Sequence, residues 1–136
     1  IIHNAEHCVS DQSYKGILND HSKANYYSNT FVSENAQKTE GYQLSKGILL
    51  TDHCSFFSKP ELRIFADDVK CSHGSTIGPV DESALYYLRS RGISKNEAMK
   101  MIISSFIEED LQNLDKDIAK IISNNLSDYL KSLVNV

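Results

Sequence analysis

The 136 residues hold 14 Lys and Arg against 18 Asp and Glu, a formal charge of −4, with 40% hydrophobic and 24% charged side chains. Such a chain is long enough for one domain with a real core, and its acidic balance argues against a nucleic-acid surface, which needs clustered Lys and Arg. No apolar run nears the roughly 18 residues that span a bilayer, so no membrane association is expected.

No charged start followed by an apolar stretch marks a secretory signal. Three cysteines, Cys8, Cys54 and Cys71, are too few and scattered for a disulfide framework; they fit a reducing compartment, and a cytoplasmic location is expected.

In chain order, the first 75 residues favour strands: short β-branched or aromatic runs broken by Asn, Asp, Ser and Gly. A weak repeat aligns GILNDHS from Gly16, TFVSENA from Thr30, ILLTDHC from Ile48 and RIFADDV from Arg63. Each unit places a large apolar residue (Leu18, Val32, Leu50, Phe65) two before an acidic one (Asp20, Glu34, Asp52, Asp67). A small or apolar residue (Ser22, Ala36, Cys54, Val69) then follows two later. The spacings, 14, 18 and 15 residues, suggest a parallel β-helix with inward apolar positions and polar corners. A two-sheet sandwich uses the same signals.

Residues 61–92 organise the rest: a strand, a corner expected through Gly74 to Pro79, then a helix. Cys71 and His73 sit two apart there, so on a strand they share one side, roughly 6.6 Å apart. Thiolate and imidazole are metal-ligand types, yet a closed zinc site needs four such donors. The plainer reading makes Cys71 a small core residue and His73 a hydrogen-bonded strand end. His53 and Cys54, as neighbours, point to opposite faces, which leaves Cys54 for the core. His3 and His7 read as solvated or at a corner, and Asp67-Asp68 as a turn-forming, solvent-facing pair rather than an acid–base couple. No phosphate-binding G-x-x-x-x-G-K-[ST] loop or G-x-S-x-G elbow is present.

After Pro79 the period becomes helical. Asp81 is a good N-cap, Ala84, Leu85 and Leu88 form a stripe, and Gly92 suits the C′ position. Arg89 and Arg91 near that end complement the helix dipole. Ser94 with Glu97 forms a capping box for a second helix, whose apolar set, Ala98, Met101, Ile102, Ser105-Phe106 and Leu111, is spaced for one face. Met99, Ile103 and Phe106 are then candidates for a docking surface. Asn113 or Asp115 ends this helix, and a third carries Ile118, Ile121, Ile122, Leu126, Tyr129, Leu130 and Leu133.

Several stretches together resemble a known family. YKGIL (14–18), NAQKTEGYQLSKGILLTD (35–52), ADDVKCSHG (66–74), Gly78 and DESALYYLRSRGI (81–93) are similar to the SufB/SufD family of iron–sulfur cluster assembly scaffolds, from about His3 to about Leu111. The SufB branch typically reads VEHEA where this chain has KCSHG, which favours the SufD side; Phe57-Ser58 before Lys59-Pro60 departs from the family pattern. The resemblance implies a C-terminal piece of a longer protein. Its fold would be the last turns of a right-handed parallel β-helix over 1–78, capped by a helical domain over 79–136.

It further implies pairing with SufB through the β-helix and docking of the SufC ATPase on the C-terminal helices. His73, with Cys71 beside it, would contact a nascent iron–sulfur cluster at the SufB interface, with no cofactor held stably by the chain alone. No catalysis is expected of the chain itself. Two other classes compete: a small metal- or thiol-dependent enzyme using Cys71 and His73, and a carbohydrate-binding module, which the absence of Trp weakens. Open strand edges invite pairing, so a homodimer is expected in isolation.

Overall fold

A computed structural model describes residues 1–112 and 114–133, with side chains as far as residue 126. Asn113 and the side chains of Tyr129, Leu130 and Leu133, named above, lie outside the described residues. The chain divides into two compact units, Ile1–Pro79 and Val80–Val136. The first is made of parallel strands and the second of three helices.

The strands are β1 (Ile2–His3), β2 (Val9–Leu18), β3 (Lys23–Val32), β4 (Glu40–Leu49), β5 (Ser55–Ile64) and β6 (Lys70–Pro79). They form two three-stranded sheets, β1-β3-β5 and β2-β4-β6, so the chain alternates between sheets. Every pairing is parallel, with Val9 opposite Glu40, Lys23 opposite Ser55 and Glu40 opposite Lys70. Successive units of the sequence repeat therefore fall in alternate sheets, and contacts skip one unit: Leu50 N–H donates to Leu18 O at 2.8 Å, and Phe65 N–H to Val32 O at 2.9 Å. The acidic members all sit at exposed corners. Leu18 and Val32 are buried, but Phe65 is 61% exposed; its ring lies against Phe31 at 5.3 Å on the outside.

Side chains alternate inward and outward along each strand, and the inward set is only partly apolar. Leu18, Cys54 and Phe56 form one cluster, backed by Ala24, Tyr26, Leu49 and Ile77. Val32, Ala36 and Ala66 form the other, backed by Val69 and Cys71. Cys54 is a core residue, as its place in the repeat predicts. Along β4, the positions between these clusters are polar: Gln43 and Ser45 are buried, as is Thr30 on β3. Burying amides and hydroxyls costs free energy unless they are paired. Gln12 Nε2 donates to Thr30 Oγ1 at 2.9 Å, Gln43 Nε2 donates to the same oxygen, and Ser28 Oγ donates to Gln43 Oε1 at 3.2 Å. His3, expected to be solvated or at a corner, is buried instead, because its Nε2 meets Ser10 Oγ at 2.9 Å.

The second unit follows its capping signals. Helix α1 (Glu82–Ser90) starts where the Asp81 carboxylate accepts from Ser83 N–H at 2.8 Å and Ala84 N–H at 3.3 Å. It ends in a Schellman arrangement, with Gly92 N–H on Arg89 O, Ile93 N–H on Leu88 O, and Gly92 at φ +86°. Arg91 turns back over the Tyr87 ring. Helix α2 (Lys95–Leu111) opens with the Ser94–Glu97 capping box, and α3 (Lys116–Leu133) opens where Asp115 accepts from Asp117 N–H at 2.9 Å. On α3, Ile118 and Ile121 are exposed, while Ile122 and Leu126 are half-buried.

Candidate functional site

Residues 61–92 do not turn at Gly74–Pro79, as glycine and proline suggested. The corner comes earlier, over 65–69, where Asp67 and Asp68 are exposed in a bend, and β6 runs straight through Gly74 to Pro79. The reason is position in the sheet. Lys70 N–H donates to Thr39 O on the β4 side, so even-numbered residues of β6 face β4 and odd-numbered ones face the open edge. Pro79 lacks an N–H at a place where no strand asks for one.

The same alternation explains Pro60. Ser55 and Phe65 N–H donate to Ser22 O and Val32 O on the β3 side, so the even-numbered peptides of β5, Pro60 among them, face its open edge. β5 and β6 each end their sheet's order.

His73 uses this edge. Its Nδ1 lies 3.0 Å from the Pro60 carbonyl oxygen, across from β6 to β5. A carbonyl only accepts, so in the neutral ring Nδ1 carries the proton and Nε2 the lone pair. His73 is exposed, with Gln43 its register partner on β4. Gln43 also reaches β5: its Nε2 stands 3.5 Å from the Glu61 carbonyl. Outside the sheet, the Asn29 amide, and after it the Arg63 guanidinium, hold the Glu61 carboxyl below its usual range.

Cys71 shares the inward face with His73, as the i, i+2 spacing predicts, but in other surroundings. It is half-buried, packed against Val32, Ala36 and Ala66. Its Sγ lies 3.3 Å from where a Cβ on Gly41 would stand. That is the setting of a packing cysteine. His53 is exposed at a corner and stacks on His21, ring centroids 4.9 Å apart, 32 residues earlier in the repeat. Among the described residues, no three His, Cys, Asp or Glu side chains converge on a metal position. At its edge, His73 keeps Nε2 as the ring nitrogen that does not face the Pro60 carbonyl.

Of the three docking candidates, Ile103 is fully buried. It is the inward anchor of α2 together with Ala98, and a partner cannot reach it; Met99 and Phe106 are half-buried. Met101, placed by its spacing on the apolar face, is 50% exposed. The helix is apolar around most of its girth, so spacing alone could not choose the face.

Residues 1–106 match the family described as SUF system FeS cluster assembly, SufBD core domain. The chain belongs to the SufBD family. It is 41% identical over 107 residues to the iron–sulfur cluster assembly protein SufD of Escherichia coli (strain K12), covering 79% of this chain and 25% of that protein. An iron–sulfur cluster assembly SufBD family protein of Synechocystis is 35% identical over 111 residues, covering 82% and 24%. The chloroplastic protein ABCI7 of Arabidopsis thaliana is 39% identical over 105 residues, covering 76% and 22%. The chain spans about a quarter of the length of these relatives. Among the described residues, no helix is long and apolar enough to cross a membrane.

Proposed function

We propose that this chain is a SufD-type scaffold element in iron–sulfur cluster assembly. Its two parallel sheets are then turns of a right-handed β-helix whose open edges, β5 and β6, pair with SufB. The observation that carries this reading is His73. It is a ligand-type side chain at an unpaired edge, with Nδ1 committed to the Pro60 carbonyl and Nε2 left to coordinate, the arrangement common to metal-binding histidines. The cluster is cargo held between two chains. His73 supplies one donor, and Cys71, two residues before it on the same strand, packs into the Val32–Ala36–Ala66 cluster.

The helical unit is the docking segment for the SufC ATPase, through the surface around Met99 and Phe106. The chain works by geometry rather than by catalysis, in the cytoplasm. Without SufB, the same edges pair two copies of this chain into a homodimer, which sedimentation at micromolar concentration would detect.

The test is co-expression with SufB and SufC, comparing wild type with His73→Ala. Because His73 is exposed, the variant should assemble normally and carry less cluster. Unchanged cluster content in an intact complex would remove His73 from the site.

A further inference from the structure

Resting on that role for His73, the geometry points to Pro60 and Gln43 as its positioning residues. We propose that the Pro60 carbonyl keeps the proton on Nδ1 while the Gln43 amide supports the ring from below, so that Nε2 is the one nitrogen offered at the open edge.

Three features carry this. First, strand alternation aims the Pro60 carbonyl away from β3 and toward the free edge, and His73 Nδ1 meets it at 3.0 Å. A proline here removes the neighbouring edge N–H, so the only main-chain polar group this residue presents at the edge is an acceptor. Second, Gln43 is His73's register partner, about 4.8 Å away across the ladder, and it is 3% exposed. Its own amide is occupied: Nε2 donates to Thr30 Oγ1 and Oε1 accepts from Ser28 at 3.2 Å. Held at both ends by side chains of β3, the amide is a fixed floor for the ring. Third, two consecutive β5 carbonyls, Pro60 and Glu61, are approached by side chains from β6 and β4. The seat of the ring is thereby tied to both sheets.

The experiment reads the ring nitrogens of His73 by 15N–13C correlation NMR on the 136-residue chain, with no metal or SufB present, at a concentration where sedimentation shows monomer and at a pH that keeps the imidazole neutral. Nitrogen shifts separate protonated from unprotonated ring positions. The wild type should show Nδ1 protonated and Nε2 bare; a ring protonated on Nε2 overturns the proposal.

Gln43→Met keeps the volume and removes the amide. In a chain whose spectrum remains folded, the Nδ1–H form should lose its dominance, and retention of the wild-type ratio would remove Gln43 from the positioning role. In complex with SufB and SufC, the same variant should hold cluster about 10-fold more weakly, the usual effect of losing a ligand's supporting contact. Because the tautomer is read without cargo, its outcome is separate from that of His73→Ala. A correct tautomer with unchanged cluster content in His73→Ala would sink the functional reading and leave the positioning intact.

Discussion

Gly47→Ala is the sharpest test of how the strand interior is packed. A Cβ at Gly47 would lie 2.3 Å from Phe56 Cδ1, 2.7 Å from Phe56 Cε1 and 3.2 Å from Ile77 Cγ1. Carbon atoms rest about 3.5–4.0 Å apart, so the ring must move by more than 1 Å. It has little room, since Phe56 is buried with Leu18 and Cys54 and backed by Ala24 and Tyr26. Overpacking of this kind costs about 1–3 kcal/mol, and 1 kcal/mol shifts the melting point by roughly 2–8 °C depending on chain size. A drop of about 5–15 °C is therefore expected by thermal circular dichroism.

Gly78→Ala is the matched control on β6. A Cβ there has nothing within 4 Å, and it should melt with the wild type. Phe56→Leu is the second arm: the smaller side chain is destabilising alone, but it should recover part of the Gly47→Ala loss, with a coupling on the order of 1 kcal/mol. If Gly47→Ala melts like Gly78→Ala, or if the two substitutions simply add, the Phe56 ring does not fill the space over Gly47 and this account of the core is wrong.

Gly92→Ala should cost about 1–2 kcal/mol through backbone conformation alone, because Gly92 sits at φ +86° with open space around it; urea unfolding that matches wild type would refute this. Acid stability should depend on two corner ion pairs, Lys38–Asp68 at 2.7 Å and Lys70–Glu40 at 2.9 Å. Hydrogen bonding and charge from Lys70 lower Glu40 below its ordinary 4.5, and the same causes from Lys38 lower Asp68 below 3.8. Groups lowered on folding stabilise above their unfolded values and lose that contribution as pH falls through the folded ones. The urea midpoint of wild type should thus exceed that of a Lys38→Met/Lys70→Met variant at pH 5–6 and converge on it below about pH 3. In 1 M salt the gap should close. A gap that persists at low pH would show that the lysines stabilise by packing instead.

What the sequence by itself determined is what rests on neighbouring residues. Asp81, Ser94 with Glu97, and Gly92 bound α1 and α2 as read, because capping is settled within one helical turn. The repeat of apolar, acidic and small residues was legible too, since a carboxylate at each corner stays in water, and its units fall where the chain passes from one sheet to the other. Cys54 fell in the core on the same grounds.

The tertiary structure decided everything that depends on which neighbour is missing. Gly74 to Pro79 reads as a corner because glycine and proline break ladders, yet β6 is an edge strand and Pro79 loses no partner there. Phe65 occupies an inward place in the repeat and lies outside against Phe31. Ile103 and Met101 exchange faces on a helix that is apolar nearly all round. The setting of His73 was beyond reach for the same reason. Its partner is a main-chain carbonyl 13 residues earlier on the other sheet, and carbonyls leave no mark in a sequence. Only the folded alternation of β5, which turns Pro60 toward the open edge, tells which imidazole nitrogen is free.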